Sequence, residues 1–158
     1  MEEQEKQALV TALRLLTATP KSRQKLQEKL EGRGYSKNVL QNTLDHLEKQ
    51  GLLNDRAYGQ SVVQSYRNYR LAGRKKIIFE LKRKGLQPSL IHELLGNYSA
   101  EEEREKAHEL AKAKFEKLKK LEPVKRRKKL YDFLIRRGFD FNISRDTVEQ
   151  LERNDLNS

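Results

Sequence analysis

The chain is 158 residues long, with 35% hydrophobic residues, 36% charged residues and a formal net charge of +11. That composition supports a thin core with most helices wet on one side, predicts an elongated shape, and leaves no stretch apolar enough to span a membrane. The absence of cysteine excludes disulfides and thiolate metal sites and fits a reducing compartment.

The chain opens MEEQEKQALV, without the cationic-then-apolar order of a signal peptide, so the expected location is the cytoplasm. From there apolar residues recur at spacings of three and four, which predicts an almost entirely helical protein. A first amphipathic segment carries Leu9, Leu13 and Leu16, and Thr19-Pro20 is expected to open the next helix. RQKLQEKLEGRGY (Arg23 to Tyr35) follows, then Ser36 as an expected N-cap of SKNVLQNTLDHLEKQGLL. The next amphipathic segment holds Val62, Val63, Tyr66 and Tyr69 and leads into RKKIIFELKRKGL (Arg74 to Leu86). Gln87-Pro88 opens a short helix, and Ser99 with Glu102 reads as a capping box. A long charged helix from Ala100 to Leu121 carries Leu110, Phe115, Leu118 and Leu121, and Glu122-Pro123 opens the segment of RKKLYDFLIRRGF (Arg127 to Phe139). The tail ERNDLNS is expected to fray.

Three of these segments align without a gap. Each has Arg, then apolar residues at +3 and +7, Gly at +11 and an apolar or aromatic residue after it. The apolar pairs are Leu26 and Leu30, Ile77 and Leu81, Leu130 and Leu134; the glycines are Gly34, Gly85 and Gly138. Further apolar residues follow each glycine at +5 and +10: Val39 and Leu44, Leu90 and Leu95, Ile143 and Val148. The expected architecture is all-α, with three tandem three-helix, helix-turn-helix-like repeats over 1–53, 54–98 and 99–152 and a frayed tail over 153–158. The glycines suit left-handed helix ends.

Candidate chemistry is sparse. His46, His92 and His108 share no metal-ligand spacing, and there is no phosphate loop or nucleophile elbow. Neither an enzyme nor a cofactor is expected. Lys37, Asn38, Gln41 and Asn42 occupy the start of a helix resembling a DNA-recognition helix, but the downstream NDRAYGQSVVQSYRNYRL has helical spacing where a wing hairpin would stand. The cations are more informative. Lys82, Arg83, Lys84, Arg136 and Arg137 precede helix-ending glycines, where the helix dipole explains them. Arg74, Lys75 and Lys76, and Lys125, Arg126, Arg127, Lys128 and Lys129, stand instead at expected helix starts, against the dipole, where they would attract phosphates or acidic side chains. Tyr58 and Tyr66 read as core, while Tyr69 is a candidate base-stacking residue beside Arg67 and Arg70. The surplus charge calls for nucleic acid or an acidic protein surface, and does not choose between them.

The stretch from Gly51 to Leu86 resembles the signature of the RecX family, regulators of the bacterial RecA recombinase. The shared features are Gly-Leu-Leu-x-Asp, Tyr58, Gly73-Arg74, Ile77, Glu80-Leu81 and Lys84-Gly85-Leu86. The last repeat resembles that family's C-terminal repeat, and Gly59 stands where the family usually has Ala. The resemblance implies three-helix units in an extended, curved arrangement. It also implies a non-enzymatic, chiefly inhibitory modulator, expected as a monomer, that lies along the groove of RecA–DNA filaments and restrains ATPase and strand exchange. The expected partners are the RecA filament and single- or double-stranded DNA, in the setting of homologous recombination, DNA repair and the SOS response. A stand-alone DNA-binding helix-turn-helix regulator and a helical protein-interaction adaptor are the alternatives.

Overall fold

The structure, a computed structural model, describes residues 2–157. Among them it has nine helices and no strand: α1 (Glu3–Ala18), α2 (Arg23–Glu31), α3 (Lys37–Lys49), α4 (Asp55–Asn68), α5 (Arg74–Arg83), α6 (Pro88–Leu94), α7 (Ala100–Lys117), α8 (Pro123–Arg136) and α9 (Phe141–Leu156). The chain forms two compact units, Met1–Val62 with Leu81–Leu94 and Val63–Glu80 with Leu95–Ser158, so α4 and α5 contribute residues to both. Among the described residues no helix is long and apolar enough to cross a membrane.

In the first unit, α1, α2 and α3 pack around Ala12, Leu26, Leu30, Leu40, Leu44, Leu47 and Leu53. In the second, α7, α8 and α9 pack around Ala107, Ala111, Phe115, Leu130, Leu134, Phe139, Ile143, Val148 and Leu151. The aligned pairs Leu26 and Leu30, Ile77 and Leu81, Leu130 and Leu134 are all fully buried. The leading helices differ from expectation. Leu13 and Tyr69 are exposed, while Ala8, Ala12, Ala107 and Ala111 are fully buried. A small methyl side chain lets a helix lie close to its neighbours, and a hydropathy pattern that weights leucine passes over it.

Side chains punctuate these helices as their chemistry dictates. Ser36 and Ser99 accept from the N–H groups of Val39 and Glu102, as expected of N-caps. Glu102 does not close a capping box, because Arg67 holds its carboxylate. Pro20 lies outside α2, whose cap is Ser22. Pro88 and Pro123 are first residues of α6 and α8. Helical structure in α9 runs to Leu156, through most of the expected frayed tail. Gly34, Gly85 and Gly138 all have left-handed φ, +87°, +87° and +91°.

A related joint is built once in each unit. In the first, Ser22 Oγ donates to the Lys84 carbonyl at 2.6 Å, and the Arg23 N–H that starts α2 donates to Asp55 Oδ1 at 2.8 Å. In the second, the Gly73 N–H donates to the Arg137 carbonyl at 2.9 Å and the Lys75 N–H to the Gly138 carbonyl at 3.2 Å. The Arg74 N–H that starts α5 donates to Glu103 Oε2 at 2.8 Å. In both joints a helix-ending glycine turn meets the start of the aligned helix of the preceding repeat, and a carboxylate from the helix two places further along the chain caps it. The third copy differs. α8 begins four residues ahead of Arg127, the residue aligned with Arg23 and Arg74.

Candidate functional site

Helix geometry sorts the expected cations before any partner is considered. On α8, Arg126 stands four and eight residues before Leu130 and Leu134, so the spacing that buries those leucines turns Arg126 inward as well. Its guanidinium lies 2.9 Å from Glu152 Oε2, 3.8 Å from Asp155 Oδ2 and 4.5 Å from the centre of the Phe115 ring. Lys125, Arg127, Lys128 and Lys129 remain exposed. Lys125, Lys128 and Lys129 share a face at i, i+3 and i+4, with Asp132 3.8 Å from Lys128.

The cluster around the start of α5 is built differently. Arg74 directs its guanidinium to the carbonyls of Leu95 at 3.1 Å and Tyr98 at 2.9 Å. The anion at its helix start is the chain's own Glu103. Burial raises that carboxyl above the ordinary glutamate range, against the lowering effect of the Arg74 N–H. Asp55 is raised in the same way by burial while it accepts from the Arg23 N–H. Lys76 is half-buried under Gly138, and Lys75 alone of this trio is exposed. The first two amides of α5 therefore have protein partners already, and this helix start offers no open phosphate cradle through them.

Arg67 forms a fork with Glu102, with Nε at 2.6 Å from Oε2, and also donates to Asn97 Oδ1 at 3.0 Å. It lies 5.2 Å from the Tyr98 ring centre. Burial pushes the Tyr98 phenol upward, and its hydroxyl donates to the Ala72 carbonyl at 2.8 Å. Arg70 is exposed and lies 4.9 Å from the ring centre of the buried Tyr66. Tyr58 is half-buried, with the Lys84 ammonium 6.0 Å from its ring centre. The glycine-adjacent Arg137, which the helix dipole explained from sequence, also donates to the carbonyls of Arg70 and Leu71. The recognition-helix candidates Gln41 and Asn42 pair with Arg23 and Glu5, and the stretch after them is α4. Among the described residues no cluster of His, Asp or Glu has the arrangement to hold a metal ion.

The spacing-based reading also passes over Tyr131, Phe141 and Arg145, which meet on the surface of the second unit. The available signal was Asp140, whose side chain caps α9 and places Phe141 as its first residue.

Three family models match in chain order: the first three-helix domain of RecX over residues 8–47, the second over 54–95 and the third over 101–148. The regulatory protein RecX of Chlorobium phaeobacteroides is 36% identical over 151 residues, covering 94% of this chain and 96% of its own. The chain belongs to the RecX family. The RecX regulatory protein of Streptomyces coelicolor is 33% identical over 144 residues, covering 91% of this chain and 77% of its own. The RecX crystal structure from Lactobacillus salivarius superposes with a TM-score of 0.83 over 96% of this chain and 99% of its own, at 21% identity. A second RecX crystal structure gives 0.80 over 93% and 74%, at 24% identity. At those identities the likeness speaks for the RecX fold. Gly59, where the RecX resemblance called for Ala, is occupied from outside, since an added Cβ would stand 2.4 Å from a Leu94 methyl.

Proposed function

We propose that this chain is a non-enzymatic modulator, chiefly an inhibitor, of RecA–DNA filaments. It binds along the filament groove and restrains RecA ATP hydrolysis and strand exchange. Membership of the RecX family across all three domains carries this reading. The exposed cations supply a physical means. Lys125, Arg127, Lys128 and Lys129 project from one helix start into solvent, with Lys75 and Arg70 exposed elsewhere in the second unit. Such a row suits DNA phosphates or acidic filament side chains. Arg67, Arg74, Arg126 and Lys76 are candidates from the same cation clusters, but their first task is internal: three hold carboxylates or carbonyls, and Lys76 packs under a glycine turn.

The test is RecA-dependent ATP hydrolysis on single-stranded DNA with this protein titrated in. The rate should fall with added protein, and a variant with Ala at 125, 127, 128 and 129 should need a higher concentration for the same effect. An unchanged rate with the wild-type protein would sink the proposal.

A further inference from the structure

The second unit exposes an aromatic ring in a setting that core packing does not explain. Phe141 is 57% exposed although it is the first residue of a well-formed helix. Asp140 Oδ1 accepts from the Ile143 N–H at 2.8 Å and fixes the backbone of that turn. Tyr131 of α8 braces the ring edge-to-face, with centroids 5.7 Å apart at 78°. The Arg145 guanidinium, one turn further along α9, stands 5.6 Å from the Phe141 centroid. Arg145 shares Asp146 with Arg104, which makes the shorter contact, 3.1 Å against 3.5 Å from Arg145. On α8, Arg127 and Lys128 lie four and three residues before Tyr131, one turn from it, so cations flank Tyr131 on its own helix, with Asp132 3.8 Å from Lys128.

We infer that Phe141, braced by Tyr131 and flanked by Arg145, Arg127 and Lys128, is a stacking platform for an unpaired base of single-stranded nucleic acid. The inference rests on the proposed DNA-filament reading and adds a site to it. An apolar ring alone would suit many partners. Charge decides here, because α8 carries six Lys and Arg against one Asp, so a partner must bring anions beside a flat apolar surface. A single strand presents both, phosphates for the cations and base faces for the ring, whereas bases stacked inside a duplex are closed to it. The rigid mounting lowers the ordering cost of stacking.

Binding of the full chain to oligothymidylate and to an abasic phosphodiester of equal length, followed by fluorescence anisotropy, separates ring from charge. Phe141→Ala is expected to weaken oligothymidylate binding roughly 5- to 100-fold and leave abasic binding unchanged. Phe141→Trp should restore it. Arg127→Ala with Lys128→Ala should weaken both ligands. The inference is overturned if Phe141→Ala binds oligothymidylate like wild type, or loses equal affinity for both polymers. It is also overturned if that variant loses inhibition of RecA hydrolysis while keeping full oligothymidylate affinity, which would make Phe141 a protein contact. If wild type shows the Phe141-dependent stacking yet leaves RecA hydrolysis unchanged, the platform stands and the filament reading falls.

Discussion

Arg126 and Arg127 are neighbours in an uninterrupted run of five cations, yet helical rotation places them in different surroundings. Arg126 keeps 8% of its side chain exposed, and Glu152 keeps 17%. Removing the guanidinium strands a carboxylate in a poorly solvated place, which costs more than the intact pair ever contributed. Arg126→Ala is therefore expected to lower stability by about 2–4 kcal/mol, read as a drop in the urea midpoint at constant slope. Arg127→Ala should stay within about 0.5 kcal/mol of wild type. Equal effects would show that the two side chains do not divide between fold and surface. The same logic governs Arg74, whose donors hold two carbonyls. Removing it with Lys75 and Lys76 would mix a folding defect into a binding measurement, and Lys75→Ala is the clean probe.

At the scale of elements, the glycine turn is one motif in three settings. Gly34, Gly85 and Gly138 share a left-handed φ, so an added Cβ strains each by about 1–2 kcal/mol. Space then separates them. At Gly34 nothing lies within 4 Å of that Cβ, whereas at Gly138 it would stand 2.4 Å from the Lys76 backbone nitrogen. Backbone cannot rotate aside as a side-chain tip can. Gly138→Ala is expected to cost a further 1–3 kcal/mol, roughly, beyond Gly34→Ala, and thermal or urea unfolding of the two variants gives the comparison. Equal losses would mean that the second joint contributes no packing constraint. The early start of α8 belongs here too. Its added turn, locked by Arg126 to α9, marks the last repeat as a differently built end.

For the molecule as a whole, a net charge of +11 makes any polyanion attractive, and salt dependence tells how many cations take part. Each phosphate neutralised on a single strand contributes about 0.7 to the slope of log affinity against log salt. Replacing Lys125, Arg127, Lys128 and Lys129 by Ala should make that slope shallower by up to roughly 3, and Lys75→Ala by less than about 1. An unaltered slope in the quadruple variant would remove the α8 face from the binding surface.

By itself the sequence determined the helical class, the three-fold repetition and the repeated leucine and isoleucine pairs of each core. Those features depend on short-range periodicity, and Leu26, Ile77 and Leu130 show it in the same register. The left-handed glycines and the caps at Ser36 and Ser99 were legible for the same reason, since a turn's chemistry lies within a few residues. Which cations face solvent was legible only in part. Arg67 finds Glu102 across 35 residues, the Arg74 guanidinium finds the Leu95 and Tyr98 carbonyls across 21 and 24, and Arg126 finds Glu152 across 26. No local pattern encodes such partners. Leu71, a leucine with φ of +45° under the Arg137 donors, is equally invisible to propensity, which assigns that conformation to glycine. Tertiary packing alone decided these choices, because a charge is spent or left free according to what the folded chain brings within a few ångströms of it.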